Sequence, residues 1–194
     1  MKKRRLIVAS ASPRRRELLA QAGFEFLVEP SDADETLADF VTPAMAVEQL
    51  AERKARSVAE KHSGDVVLGC DTIVALDGEK LGKPQSADDA KAMLRRLSGQ
   101  THTVYTGVCI TDGTRTERFV SATDVTFYPL SAQTIDDYVA TGEPMDKAGA
   151  YGIQGLGSVL VQSFSGDYFT VVGLPLAQCA RVLAVFGIEG KIKL

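Results

Sequence analysis

The sequence is poor in several of the residues that mark specialised proteins. Its 194 residues include no tryptophan, two histidines and three cysteines. Lys and Arg number 22 against 25 Asp and Glu, a formal net charge of −3, so a strongly basic nucleic-acid-binding protein is excluded. The longest apolar stretch, residues 66–76, contains Asp71 and is far shorter than the ~20 residues that span a bilayer. We therefore expect neither a nucleic-acid nor a membrane partner.

The cysteines and the amino terminus predict a cytoplasmic protein. Cys70, Cys109 and Cys179 are odd in number, far apart and without a C-x-x-C pair, which favours reduced thiols over disulfides or zinc. Residues 1–5 are basic, but only residues 6–9 continue as an apolar run, too short for a secretory signal. The remaining composition, 45% hydrophobic and 24% charged, is typical of a globular chain, and we expect a single domain over residues 1–194.

The hydrophobic pattern predicts an α/β protein with a mixed, largely antiparallel central sheet flanked by helices. Prolines after Ser12 and Thr42, and the acidic residues after Ser86, are helix-start signals. Asp77-Gly78 and Asp112-Gly113 are typical of hairpin turns. The expected strands are residues 6–9, 66–76, 104–111, 118–127, 159–164 and 168–172, and the expected helices include residues 131–138 and 175–186.

Two features of the sequence are unfavourable for stability and therefore suggest a function. Arg14, Arg15 and Arg16 lie in the first turn of a predicted helix, where each cation costs about 0.3–1 kcal/mol. They convert a helix N-terminus into a phosphate clamp, although a solvated basic turn is the alternative. Asp71 lies inside an apolar strand, so its carboxylate must meet a metal, a cation or water. The alternative for Asp71 is a hydrogen bond to neighbouring backbone or to Thr72 at a bulge.

Other candidate residues fit the same chemistry. Lys54 lies on the apolar face of its helix, Lys83 precedes a proline, and Gln154 lies in a glycine-rich stretch, where its carboxamide can read the edge of a base. Either lysine could instead be exposed or snorkelling. The acidic loop that contains Glu35 could hold a metal or simply be solvated. Because P-loop, hydrolase-elbow, catalytic-triad and zinc patterns are all absent from the sequence, cations, carboxylates and glycines favour phosphate chemistry with a hard divalent metal.

Seven segments together resemble the Maf family of nucleotide pyrophosphatases. They are residues 6–19 (LIVASASPRRRELL), 34–35 (DE), 51–55 (AERKA), 69–74 (GCDTIV), 81–84 (LGKP), 146–155 (DKAGAYGIQG) and 172–175 (VGLP). The resemblance extends over the whole chain. It implies a single elongated domain similar to inosine triphosphate pyrophosphatases, with a central cleft, and a homodimer. It also implies metal-dependent cleavage of nucleoside triphosphates between the α and β phosphates, for house-cleaning of nucleotide pools or arrest of cell division.

The resemblance assigns roles to individual residues. It implies that the triphosphate is held by Ser10, Arg14, Arg15, Lys54 and Lys83. Glu35 and Asp71 would bind Mg²⁺ or Mn²⁺, and Asp71 would be the general base that activates water.

The identities at three positions resemble one subgroup of the family. Arg14, Thr72 and Gln154 match the subgroup that acts on dTTP and UTP, and Gln154 could bond the imide edge of a pyrimidine. The same reaction on 7-methyl-GTP or on modified pyrimidine nucleotides remains an alternative, as does a non-catalytic nucleotide-binding regulator of septum formation. A nucleic-acid-binding module built on the basic clusters at residues 2–5 and 14–16 is a further alternative that the net charge disfavours.

Overall fold

The computed structural model describes residues 4–38 and 40–194, so most of the basic segment at residues 1–5 lies outside the described residues. In this part of the chain there are seven strands and six α-helices. The strands are β1 (Leu6–Val8), β2 (Phe26–Val28), β3 (Val66–Leu76), β4 (Glu79–Leu81), β5 (Thr101–Thr111), β6 (Thr116–Phe127) and β7 (Val161–Ser165). The helices are α1 (Pro13–Gln21), α2 (Pro43–Ala59), α3 (Ala87–Leu97), α4 (Ala132–Ala140), α5 (Tyr168–Val172) and α6 (Leu176–Val185).

The strands form one mixed sheet in the order β2-β1-β3-β5-β6-β7, with β4 paired to β3. β1 is parallel to both β2 and β3, whereas the β3–β4 and β6–β7 pairs are antiparallel. β5 and β6 are joined by only residues 112–115, a connection that permits only an antiparallel pair. The predicted α/β class with a mixed sheet is therefore confirmed.

The helix starts follow the signals in the sequence. The Thr42 hydroxyl accepts a hydrogen bond from Met45 N at 3.3 Å, and the Ser86 hydroxyl accepts one from Asp89 N at 3.1 Å, as N-caps do. Pro13 and Pro43 occupy first-turn positions. No helix in the described ranges is both long enough and apolar enough to cross a membrane.

The chain divides into two compact units. The first contains residues 1–71, 106–121 and 173–194, and the second contains residues 72–105 and 122–172. In the first unit α2 packs through Ala51, Ala55 and Val58 on the buried strand residues Ile7 and Val67. In the second unit the rings of three buried residues pack edge to face with centroids 4.7–5.2 Å apart. These residues are His102, Phe127 and Tyr151.

The prediction of a strand at residues 168–172 is wrong, because this segment is the short helix α5. Asp167 starts the helix: its carboxylate accepts hydrogen bonds from Phe169 N and from the Thr170 hydroxyl, both at 3.1 Å. This local capping outweighs the strand preference of a β-branched and aromatic segment. The strand expected at residues 159–164 is β7 at Val161–Ser165. The sequence prediction also missed the three-residue strand β2.

Candidate functional site

The loop between β1 and α1 fixes a serine and an arginine against each other. Ser10 is 6% exposed, and its hydroxyl accepts hydrogen bonds from Ser12 N at 3.2 Å and from Arg15 Nη1 at 3.0 Å. Arg15 Nε also donates to the Gly173 carbonyl at 2.8 Å. Arg14 is partly buried in the same first helical turn. This turn therefore concentrates positive charge at a helix N-terminus, as an anion site requires.

The second cluster of the first unit is an ammonium group between two carboxylates. Lys54 Nζ lies 2.6 Å from Asp71 Oδ1 and 2.9 Å from Glu35 Oε1. The side chains of Lys54 and Asp71 are each 14% exposed, whereas Glu35 is 63% exposed. Burial by itself lowers the pKa of Lys54, but Asp71 and Glu35 outweigh it and raise that pKa above its ordinary value. Lys54 is thus held as a cation, and Asp71 meets the cation that its position in an apolar strand requires.

Close packing of α2 on β3 brings Lys54 to Asp71. A Cβ atom at Gly69 would lie 2.3 Å from the Ala51 carbonyl oxygen and 2.6 Å from Ala55 N, distances that no side chain tolerates. Glycine therefore allows the helix backbone to approach the strand two residues before Asp71. This role of Gly69 was not predicted, although an isolated glycine within a strand pattern signals such an approach.

Arg53 positions the loop that carries Glu35. Its Nη1 donates to the carbonyl oxygens of Asp34 and Thr36 at 3.2 and 2.6 Å, the two residues that flank Glu35. The Asp34 carboxylate in turn accepts hydrogen bonds from the Thr36 hydroxyl and Thr36 N, and these bonds lower the pKa of Asp34. This role of Arg53 has no signal in the sequence, because its two partners are backbone atoms 17–19 residues away.

Cys70 shares a hydrogen-bond acceptor with Arg15 and precedes Asp71 in β3. Its thiol donates to the Gly173 carbonyl at 3.2 Å, the same oxygen that accepts from Arg15. Burial raises the pKa of Cys70 to about 11, and Arg15, Asp71 and Lys54 all act on it electrostatically. The thiol is therefore a neutral, buried group within electrostatic reach of both clusters.

The second unit contains the other three candidate residues. Thr72 is partly buried in β3, Lys83 is exposed two residues after β4, and Gln154 is exposed in the glycine-rich stretch. Gly149 N donates to the Gly82 carbonyl at 3.0 Å, which ties the turn carrying Lys83 to this stretch. Gly149 has a φ of +69°, a conformation that glycine adopts without strain.

The carboxylates of Glu35 and Asp71 are the candidate ligands of the expected metal. Across residues 4–38 and 40–194, no group of three or more His, Cys, Asp or Glu side chains is placed to hold a metal ion. Glu35 and Asp71 nevertheless converge on one ammonium, and both supply hard oxygen ligands. A Mg²⁺ ion is commonly held by one or two carboxylates together with substrate phosphates and water, so this pair fits a metal that arrives with a phosphate ligand.

Comparison with known proteins identifies the family of the chain. The family model described as Maf-like protein matches residues 5–186. The chain is 53% identical over 187 residues to the dTTP/UTP pyrophosphatase of Moorella thermoacetica, covering 95% of this chain and 96% of that one. It is 52% identical over 183 residues to the enzyme of the same name from Bacillus mycoides, covering 94% and 96%.

Among solved structures, the Staphylococcus aureus Ham1 protein aligns with a TM-score of 0.48 at 14% identity, covering 81% of this chain and 80% of that one. The family assignment depends on the sequence matches, which extend over nearly the entire length of both chains. The chain belongs to the Maf-like protein family.

Proposed function

We propose that the protein hydrolyses dTTP and UTP to the nucleoside monophosphate and pyrophosphate. The observation that carries this proposal is the charged cluster of Lys54, Asp71 and Glu35 in the unit that also holds Ser10 and Arg15. A cationic helix terminus can stabilise phosphate charge, and a largely buried carboxylate can accept a proton from the attacking water. The names of the Moorella and Bacillus relatives supply the substrate class.

Five residues hold the triphosphate in this proposal. Arg15 is suited to the role because Ser10 and the Gly173 carbonyl hold its guanidinium in place, so little side-chain entropy is lost on binding. Lys54 is kept charged by its two carboxylate partners. Ser10, Arg14 and Lys83 are the other three residues of the set.

Asp71 acts as the general base. Because Oδ1 accepts the Lys54 hydrogen bond, we place the transferred proton on Oδ2. The water oxygen then bonds to the α phosphorus, the bond from that phosphorus to the bridging oxygen breaks, and pyrophosphate leaves. The arginines and lysines offset the charge that develops on this leaving group.

Glu35 and Asp71 are the residues that would hold a divalent metal, Mg²⁺ or Mn²⁺. A bound ion would neutralise phosphate charge and lower the pKa of water. Arg53 contributes by holding the backbone on both sides of Glu35, which keeps the loop that carries this carboxylate in place.

Specificity for the pyrimidine depends on Arg14, Thr72 and Gln154. The Gln154 carboxamide both donates and accepts hydrogen bonds, as does the imide edge of thymine or uracil.

The three cysteines are all buried free thiols, which supports a reducing compartment. We therefore propose a cytoplasmic protein, and we propose that it is a homodimer.

The test measures pyrophosphate release from a panel of nucleoside triphosphates with Mg²⁺ or Mn²⁺. We expect turnover of dTTP and UTP that is lost in Asp71→Asn and retained in Asp88→Asn, where the same change is made at an exposed residue of α3. Preference for 7-methyl-GTP would refute the roles of Arg14, Thr72 and Gln154. Absence of release from every nucleotide would instead favour the regulator of septum formation.

A further inference from the structure

The turn that follows Gln154 is held by the carboxylate of Glu143. Leu156 N donates to Glu143 Oε2 at 3.0 Å, and Gly157 N donates to Oε1 at 2.9 Å. The Tyr138 hydroxyl also donates to Oε1, at 2.9 Å. Hydrogen bonds to a carboxylate are stronger than those between neutral groups, so these three bonds fix the backbone immediately after Gln154.

Tyr138 extends the same network to the other side of Gln154. Its hydroxyl oxygen accepts a hydrogen bond from Gly152 N at 3.2 Å, and the residue is 5% exposed. Burial raises the pKa of Tyr138 above its ordinary value, so the phenol keeps the proton that it donates to Glu143. Gln154 therefore lies between two backbone segments that are bonded to one Tyr–Glu pair.

The carboxylate stays ionised in this setting. Burial raises the pKa of Glu143, but the hydrogen bonds from Gly157, Leu156 and Tyr138 outweigh it and lower that pKa below its ordinary value. Glu143 is itself anchored, because its carbonyl accepts from Lys147 Nζ at 2.6 Å and its N–H donates to the Thr141 hydroxyl at 3.1 Å.

Two glycines of the turn lie in close contact with the network. A Cβ atom at Gly157 would lie 2.3 Å from the Gly152 carbonyl oxygen and 2.6 Å from the Tyr138 hydroxyl. One at Gly155 would lie 2.8 Å from Glu143 Oε2, and Gly155 has a φ of +65°. Both glycines are needed for the backbone to approach the pair so closely.

We propose that Glu143, acting with Tyr138, is a positioning residue that orients Gln154 and thereby determines which base is accepted. The inference rests on the proposed function, because it concerns base selection in that reaction. Glu143 acts through the backbone of residues 156–157 and does not itself contact the nucleotide. A glutamine that must both donate to and accept from one base edge needs a defined orientation, and this network supplies it.

The test compares kcat and KM for dTTP and dCTP in Glu143→Gln. The amide has one acceptor oxygen, so its NH₂ group opposes the Leu156 N–H and that bond is lost. We expect kcat/KM for dTTP to fall about tenfold, mainly through KM, with the dCTP value changed less than about twofold. Glu79→Gln is the matched control, since Glu79 is an exposed residue paired with Arg96, and it should behave as the parent does.

A double-mutant cycle separates positioning from a general loss of structure. In a Gln154→Ala background, Glu143→Gln should change the dTTP/dCTP selectivity by less than about twofold. An equal loss of selectivity in both backgrounds, or unchanged selectivity in the single variant, would overturn the inference. The parent enzyme reports independently on the proposed function, because lack of dTTP and UTP turnover in the parent would refute that function.

A second variant keeps the test decisive if Glu143→Gln does not fold. Tyr138→Phe removes the hydroxyl that bridges Glu143 and Gly152 and keeps the buried ring. It should lower selectivity in the same direction, and a folded Tyr138→Phe protein with parental selectivity would contradict the inference.

Discussion

Acidification should destabilise the protein through one buried histidine, His102. This residue is 2% exposed in β5, and its Nε2 lies 2.7 Å from the Tyr151 hydroxyl oxygen. Within residues 4–38 and 40–194, its Nδ1 has no hydrogen-bond partner. Burial lowers the pKa of His102 from 6.5 to about 4, with a small opposing effect of Asp124.

The size of the stability loss follows from the pKa of His102 in the unfolded chain and in the folded protein. Between pH 6.5 and about 4 the unfolded chain binds a proton at His102 that the folded protein does not, so the free energy of unfolding falls as the pH falls. Each pH unit in this interval costs about 1.4 kcal/mol, so the stability lost is about 2 kcal/mol by pH 5 and about 3 kcal/mol by pH 4. The carboxyl groups whose pKa values are lowered have ordinary values of 4.5 or below, so protonation of these carboxyl groups affects stability mainly below pH 5.

Urea unfolding followed by circular dichroism between pH 7 and pH 5 measures this loss. His102→Gln retains a polar group for Tyr151 and cannot bind the proton, so we expect a lower stability at pH 7 and a pH dependence about 2 kcal/mol smaller. If the parent and His102→Gln lost the same stability between pH 6.5 and pH 5, the reasoning would be refuted.

Three further predictions concern the first unit. Gly69→Ala should separate α2 from β3 and lower the free energy of unfolding by about 1–3 kcal/mol, whereas Gly82→Ala, whose Cβ would meet nothing within 4 Å, should unfold in urea as the parent does. Arg53→Lys should raise the Mg²⁺ concentration for half-maximal activity several-fold, because one ammonium replaces the guanidinium that clamps the Glu35 loop; an unchanged titration would contradict this. Cys70 should resist Ellman's reagent at pH 8 until urea is added, since its pKa is about 11; rapid reaction of the folded protein would disprove this.

Local signals in the sequence predicted most helix starts and the strands that carry the candidate site. Thr42 and Ser86 cap helices as their side chains allow, and the apolar stretch of β3 forms a buried strand around Asp71. These predictions succeeded because capping and burial depend on residues within a few positions of each other. The roles that the resemblance assigns to individual residues stay predictions.

The sequence could not predict contacts made by distant backbone atoms. The clamp of Arg53 on the Glu35 loop and the bonds of Glu143 to residues 156–157 depend on carbonyl and N–H groups that carry no side-chain signature. The failure at residues 168–172 has a local cause, because the Asp167 cap overrides the strand preference of the residues that follow.

The Gly173 carbonyl has a consequence for the order of events during biosynthesis. This oxygen accepts from Arg15, which lies 158 residues earlier in the chain, and from Cys70, 103 residues earlier. Chains fold from the amino terminus as the ribosome extends them, so Arg15 and Cys70 emerge long before their shared acceptor exists. A nascent chain that ends before residue 173 lacks one of the two groups that hold Arg15, so the hydrogen bonds of Arg15 are complete only after residue 173 has been synthesised.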